Sequence, residues 1–558
     1  MELKDQIKND VYDVLKNDIS IEDVIVEYPK DRTLGDYAVP CFVFAKIFRN
    51  SPINIANEIK SKLDQSKYEK IEVVSGYLNF FVKKEELTKY VLEKIESEKE
   101  NYGYSNIGFG KTAIIDYSAP NIAKPFGVGH LRSTAIGQAI KNILEKTGYE
   151  TVGINHLGDW GTQFGKMICA YKKWGNEEAI RNEPIKELLK LYIKFHEEAE
   201  NDKHLEEEGR AYFKALEEGD DEALKLWKWF RDESLKEFQK TYDLLGIDKF
   251  DSYNGESFYL DKMEPVIEEL KEKGLLKKDQ GAYVVELEDM PPALIMKKDG
   301  ATLYITRDLA AAFYRKKTYD FDEAVYVIGN EQSLHLKQLK AVISKMGYDF
   351  ANNMHHVNFG MILQNGKKMA TRKGRTVMLH DVLLEAKEMA KKHVKNVDEK
   401  DVEEVSRQIG IGAVIFNDLK NYRISDIEFN LEDVLKFEGE TGPYIQYTHA
   451  RINSLLNEST DLEIDYNDIE FNQLIWNLVF KLYEFNDIIV KAKLGYDPSL
   501  IAKYAIDLAQ DFNKFYGNYK INDGNNNEKA FKLRVSKSVA IVLKESLRLL
   551  NIDAPNKM

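Results

Sequence analysis

One stretch constrains the chain more than any other: IIDYSAPNIAKPFGVGHLRSTAIGQAI, Ile114 to Ile140. The mostly apolar run Thr112 to Ile115 has strand character and is bounded by Ser118 and Pro120. Pro120, Pro125, Gly127 and Gly129 then impose a turn-rich loop. From His130, the residues Leu131, Ala135, Ile136, Ala139, Ile140, Ile143 and Leu144 recur at helical spacing until Gly148 ends the pattern. A second strand, Glu150 to Asn155, follows directly. Strand, glycine loop, helix and strand make the first crossover of a nucleotide-binding α/β unit, with the loop at the strand's carboxyl end. A helix amino terminus offers free N–H groups and a positive dipole to a phosphate, and glycines let the anion approach closely. Gly-Val-Gly by itself fits a plain tight turn equally well. A dinucleotide fingerprint needs a third glycine where this chain has Arg132, which weakens a dehydrogenase reading.

The 558 residues predict about three or four domains. A hydrophobic content of 43% with 31% charged residues describes a globular protein with ample core. Cys41 and Cys169 lie far apart, which excludes a disulfide framework and a thiolate zinc site and fits a reducing cytoplasm. The start, MELKDQIKND, carries both charge signs and no apolar core, so it does not read as a signal peptide. No apolar run approaches the roughly 20 residues of a membrane span. The net charge of −14 does not exclude nucleic acid, because a large protein can gather cations on one face.

Taken in order, residues 1–106 read as a small α+β domain closing with the linker NYGYSN. Within it, GYLNFF puts Tyr77 and Asn79 on one side of a strand, where an aromatic and an amide could hold an unpaired base; a half-buried tyrosine beside an exposed asparagine is the equal alternative. Residues 107–380 form a parallel-sheet domain, interrupted over about 170–280 by charged amphipathic helices. The turn NHLGDWGTQFG, Asn155 to Gly165, follows a strand where α/β ligand sites sit. At ALIMKKDGATLYITRD the pattern predicts two strands around Asp299-Gly300, the second ending in Tyr304, Thr306, Arg307 and Asp308, then a helix Asp308 to Lys317. Gly329 to Gln332 ends the next strand. LQNGKKMATRKGRTV is a cationic loop suited to a polyphosphate or, alternatively, to RNA. Residues 381–440 read as a helical connection and 441–558 as a helix bundle.

With these segments in view, the chain resembles the arginyl-tRNA synthetases, a class I aminoacyl-tRNA synthetase family. SAPNIAKPFGVGHLRST is similar to the family's first ATP motif and GKKMATRKG to its second; NHLGDWGTQFG, LYITRD, GNEQSLH, TGPYIQYTHARI and IDAPNKM follow in family order. Gly127 stands where the first motif usually begins with histidine, and Ala370 and Arg372 replace the usual serine and second lysine. The resemblance implies a multidomain α/β protein: a Rossmann-type parallel-sheet catalytic core with a helical insertion, a small α+β amino-terminal domain and an all-α carboxyl-terminal bundle. It implies a ligase that activates L-arginine with ATP, accompanied by Mg²⁺ without a protein metal cage, and transfers it to tRNA(Arg). His130, Lys124 and Lys368 would be catalytic, with Gly127, Gly129, Met369 and Arg372 completing the ATP site. Asp308, Asp116 and Tyr304 would meet the guanidinium, and Asn121 and Gln332 the α-amino and carboxylate end. Tyr77 and Asn79 would touch the tRNA elbow, and Tyr447, Arg451, Asn513 and Tyr516 the anticodon. A cytoplasmic monomer is expected.

Overall fold

The computed structural model describes residues 3–297, 304–369, 371–372, 375–395, 397–456, 463–521 and 524–558, without the side chains of 371, 372, 375 and 376. The chain forms two compact units. The first gathers Met1–Ser97, Thr460–Tyr483 and Asn518–Val535. Its three-stranded antiparallel sheet places Tyr77–Phe81 centrally, between Tyr37–Pro40 and Lys70–Val74. Leu78 and Phe80 alternate into a core with Ile7, Val11, Phe44 and Ile59. Asp36 fastens this unit: its buried carboxylate accepts from Val82 N–H at 2.9 Å and Trp476 Nε1–H at 2.7 Å. Burial raises its pKa, which those bonds partly offset.

The second unit holds Glu98–Ser459, Glu484–Gly517 and Ser536–Met558. Four parallel strands organise it: β1 (Thr112–Asp116), β2 (Glu150–Ile154), β3 (Glu323–Gly329) and β4 (Met354–Phe359), in the order β4-β3-β1-β2. The order reverses beside β1, where a doubly wound sheet opens its crevice. Helix α1 (His130–Lys146) makes the first crossover, α2 (Tyr304–Tyr319) precedes β3, and α3 (Ser333–Lys345) joins β3 to β4. Helices Thr162–Trp174, Pro184–Asn201, His204–Glu217 and Asp221–Leu245 make the insertion. From residue 379 onward the described chain is almost wholly helical.

One expected element differs. Tyr304, Thr306, Arg307 and Asp308 do not end a strand; they open α2. Ala293–Met296 is a strand, but of an antiparallel sheet with Leu276–Asp279 and Ala282–Val285. Asp299-Gly300 lies outside the described residues. The β-branched and aromatic run Tyr304 to Thr306 is overruled by tertiary packing, because Ile305, Leu309 and Ala312 recur on one buried helical face. Thr306 Oγ1–H donates to Ile295 O at 2.6 Å and pins the helix start to that strand.

Candidate active site

The loop after β1 is held by side chains. Ser118 and Ala123 both adopt positive φ, 59° and 58°, a conformation costing non-glycine residues on the order of 1–3 kcal/mol and found where function over-determines the backbone. Ser118 N–H donates to Ser133 Oγ at 2.9 Å, and Ala123 N–H to Ser234 Oγ at 3.1 Å. At the loop's end Gly129 caps α1, and a Cβ there would meet nothing within 4 Å, so the space ahead of the helix is open. His130 packs on Phe126 with ring centroids 5.0 Å apart, and burial lowers its pKa. It is therefore a neutral imidazole near pH 7. Lys124 is half-buried and forms no ion pair among the described residues.

The two expected ATP segments are tied by backbone. Gly127 bridges Met378, Val128 N–H donates to Val377 O at 3.1 Å, and Leu379 N–H to Phe126 O at 3.0 Å. The cationic stretch begins as a hairpin rather than an open loop: Ile362–Gln364 pairs with Lys367–Lys368. Asn365 and Gly366 make its two-residue turn with φ of 52° and 69°, the Asn-Gly pattern that matches strand twist. Lys368 is exposed, whereas Met369 is buried and its N–H donates to Ile362 O at 2.9 Å. The side chains of Ala370 and Arg372 lie outside the described residues.

At the carboxyl ends of β1 and β3 lies a cavity of about 360 Å³. The expected Asp116, Tyr304, Asp308 and Gln332 line it together with His156, Glu256, Arg315 and His335. Asn121 is not among its lining residues; it is exposed, against Gly158, where an added Cβ would come 2.2 Å from Asn121 Oδ1. Asp116 meets Arg315 at 2.8 Å, both almost fully buried, so its carboxylate is already closed by a guanidinium of the protein. Glu256 accepts from Arg307 Nη1 at 2.6 Å, and burial lifts its pKa to about 7 against that cation. Asp308 accepts from His335 Nε2 at 2.5 Å; burial pushes its carboxyl up, but this bond together with the neighbouring His156, His335 and Arg315 holds it below the ordinary value. Tyr304 is 64% exposed and lies under the Arg307 guanidinium, 5.1 Å from ring centroid to charge.

Sequence reasoning did not single out His156, Glu256, Arg315 or His335. His156 follows a strand end within NHLGD, and His335 lies one helical step beyond Gln332, so both had a positional signal. Glu256 and Arg315, in an insertion and mid-helix, had none. The rest of the NHLGDWG turn is structural: Asp159 accepts from Ser257 N–H at 2.8 Å and Arg231 Nε at 3.2 Å, and Trp160 packs on Phe213 and Trp227.

Of the residues expected to meet RNA, Tyr77 is half-buried beside Phe42 with centroids 5.2 Å apart. Asn79 is 3% exposed, a correction to its expected place on an open surface; it sits mid-strand with Ala38 and Glu72 as neighbours on either side. In the second unit Arg451 stacks on Tyr516 at 4.5 Å and Tyr447 at 5.8 Å. Asn513 instead donates to Tyr444 Oη and Thr448 Oγ1 at 2.9 and 3.1 Å, within the bundle.

Comparison with known proteins agrees along the chain. Residues 92–431 match the profile of the class I (R) tRNA synthetase catalytic domain, 445–558 the DALR anticodon binding domain, and 1–82 the arginyl tRNA synthetase N terminal domain. The arginine–tRNA ligases of Ligilactobacillus salivarius and Enterococcus faecalis are 51% and 52% identical, with 100% of each chain covered. Among solved structures, the Plasmodium falciparum arginyl-tRNA synthetase is 27% identical with a TM-score of 0.84, covering 100% of this chain and 99% of that one. The Thermus thermophilus enzyme shares the fold at a TM-score of 0.86 and 24% identity, covering 100% of both chains.

Proposed function

The chain belongs to the arginyl-tRNA synthetase family of class I aminoacyl-tRNA synthetases, and from that premise we propose how its residues divide the work. The overall reaction joins L-arginine to the 3′-terminal adenosine of tRNA(Arg) at the expense of ATP, releasing AMP and pyrophosphate. An arginine carboxylate oxygen bonds to the α-phosphorus while the bond to the pyrophosphate oxygen breaks. The adenosine hydroxyl then takes the arginyl group, and AMP leaves. Neither step needs a protein nucleophile, so catalysis rests on positioning and on stabilising charge at phosphoryl oxygens.

The α1 amino terminus receives the phosphates over Gly129, where the space is open. Neutral His130 donates Nδ1–H to Gly127 O at 3.3 Å and so braces the loop beneath the phosphates without adding charge, and Lys124 adds a cation that no carboxylate quenches among the described residues. Lys368, on its hairpin, faces the leaving pyrophosphate. Gly127 supplies no side chain; its bridge to Met378 ties this loop to the segment following the second motif. Mg²⁺ would accompany ATP and neutralise charge on its phosphates, and would call on few protein ligands. Among the described residues no group of three or more His, Cys, Asp or Glu side chains is placed to cage it.

Arginine lies with its guanidinium in the cavity. A planar, permanently charged fork is best met by carboxylates accepting paired hydrogen bonds. Asp308 and Glu256 supply them: Glu256 also holds Arg307, but that pair is 12–16% exposed, whereas Asp116 is sealed against the buried Arg315. Tyr304 lies at the opening, and Gln332 and Asn121 serve the α-amino and carboxylate end. Tyr77 contacts the tRNA elbow, and Tyr447, Arg451 and Tyr516 form a stacking face for the anticodon. The observation that carries the reading is the acid-walled cavity at the carboxyl ends of the strands. Its test is charging of tRNA(Arg) by purified protein and by D308A. Arginine charging that D308A leaves intact would sink the assignment of Asp308.

A further inference from the structure

Asp308 stands between two imidazoles that the chemistry above does not use. His335 Nε2 lies 2.5 Å from Oδ2, and His156 Nε2 lies 4.0 Å from Oδ1. Three separate segments converge here: α2, the first turn of α3, and the turn after β2. A carboxylate only accepts, so His335 donates through Nε2. None of the three is sealed; His335, Asp308 and His156 side chains are 25%, 32% and 17% exposed, and all face the cavity.

The surrounding charges distinguish the two imidazoles. Arg315 Nη2 lies 3.3 Å from His156 Nδ1, which must therefore accept. Burial and that guanidinium lower the His156 pKa, so this ring is neutral. Arg315 itself is paired with Asp116. On the remaining side Glu256 carries Arg307, and the phenols of Tyr304 and Tyr326 complete the wall. Among the described residues no cation other than His335 sits on Asp308 within hydrogen-bond reach, and that bond raises the His335 pKa.

We propose that His335, as an imidazolium, is the resident cation of the arginine hole, and that the entering substrate guanidinium takes over Asp308 and expels the His335 proton to solvent. This rests on Asp308 being the guanidinium's partner. Charge balances: before, imidazolium, carboxylate and guanidinium sum to +1; afterwards the imidazole is neutral and the released proton carries the difference. His335 is thus a positioning residue. It keeps Asp308 ionised and aimed while the hole is empty, and a neutral ureido analogue of arginine has no charge with which to displace it.

The sign of the pH dependence follows. Below the raised His335 pKa, every bound arginine must drive off one proton, so affinity falls about tenfold per pH unit as pH drops; above it this dependence vanishes. Glu256, at about 7, adds a second release of the same sign, because only its ionised form accepts through both oxygens. Two variants separate them. Arginine is titrated calorimetrically into the full-length protein with tRNA(Arg), near pH 6.5, in two buffers of different ionisation enthalpy. Arginine KM and kcat for aminoacylation are followed from about pH 5.5 to 8.5.

Wild-type protein should release protons on binding arginine. H335Q should release about one fewer, and its arginine KM profile should lose one unit of slope. E256Q should keep the His335 share. Should H335Q lower KM without changing the proton count, or should wild-type protein release none, the proposal is overturned; the wild-type count needs no variant to fold. D308N that binds arginine undiminished would instead overturn the underlying assignment of Asp308.

Discussion

Two carboxylates of the catalytic unit each carry a basic partner, and they differ in what can replace it. Asp418 holds Arg132 at 3.1 Å with both side chains 1% exposed, while Arg132 Nη1 also donates to Ser425 O at 2.8 Å. Asp308 holds His335 at 2.5 Å in a cavity open to solvent. The first pair is sealed by packing, so its cation is permanent and its role is to join α1 to the helix Val402–Leu419. The second is reached by solvent, with side chains 25% and 32% exposed, and its cation is exchangeable under the proposal made for His335. Arg132, where a dinucleotide fingerprint would want glycine, is accommodated by this buried partner rather than by the helix–strand contact. Charge alone does not separate structural from functional pairs; access does.

The contrast is broken most severely at Asp308. D308A should lower kcat/KM for arginine by about 10⁴-fold, the scale reached when a site loses a polar group matched to its substrate, with ATP KM unchanged in steady-state assays. At the sealed pair the loss should appear as stability instead. R132A should cost about 3–5 kcal/mol in chemical denaturation, whereas R132M/D418L, which removes both charges, should come out near wild type. Equal losses in the single and double variants would show that packing, not the orphaned charge, dominates there. Lys124 sharpens the exposed side of the comparison, being a cation with no carboxylate partner among the described residues. K124A should reduce kcat by about 10²–10³-fold with arginine KM retained. The smallest effect is at the elbow surface. Y77A should weaken tRNA use by about 1–3 kcal/mol, read from tRNA KM, and spare ATP binding.

The same distinction explains what was legible in the sequence. The crossover from β1 through α1 to β2 was, because a strand, a glycine loop and a helical period follow one another locally. Tyr304 to Asp308 misled, since β-propensity there yields to a packing face that only the fold creates. Asp308, Tyr304, Gln332 and Asp116, named from the resemblance, line one cavity. Glu256 reaches the same cavity from the end of the insertion, across 52 residues, and no spacing announces that. Nor does sequence tell that Asp116 is already paired, or that Asn79 is covered; both depend on neighbours distant in the chain.

The most direct test is aminoacylation of tRNA(Arg) by the purified chain with each of the standard amino acids and ATP. The account predicts charging with arginine alone, lost in D308A while ATP binding persists. Charging with another amino acid at a comparable rate, or arginine charging that D308A leaves untouched, would contradict it.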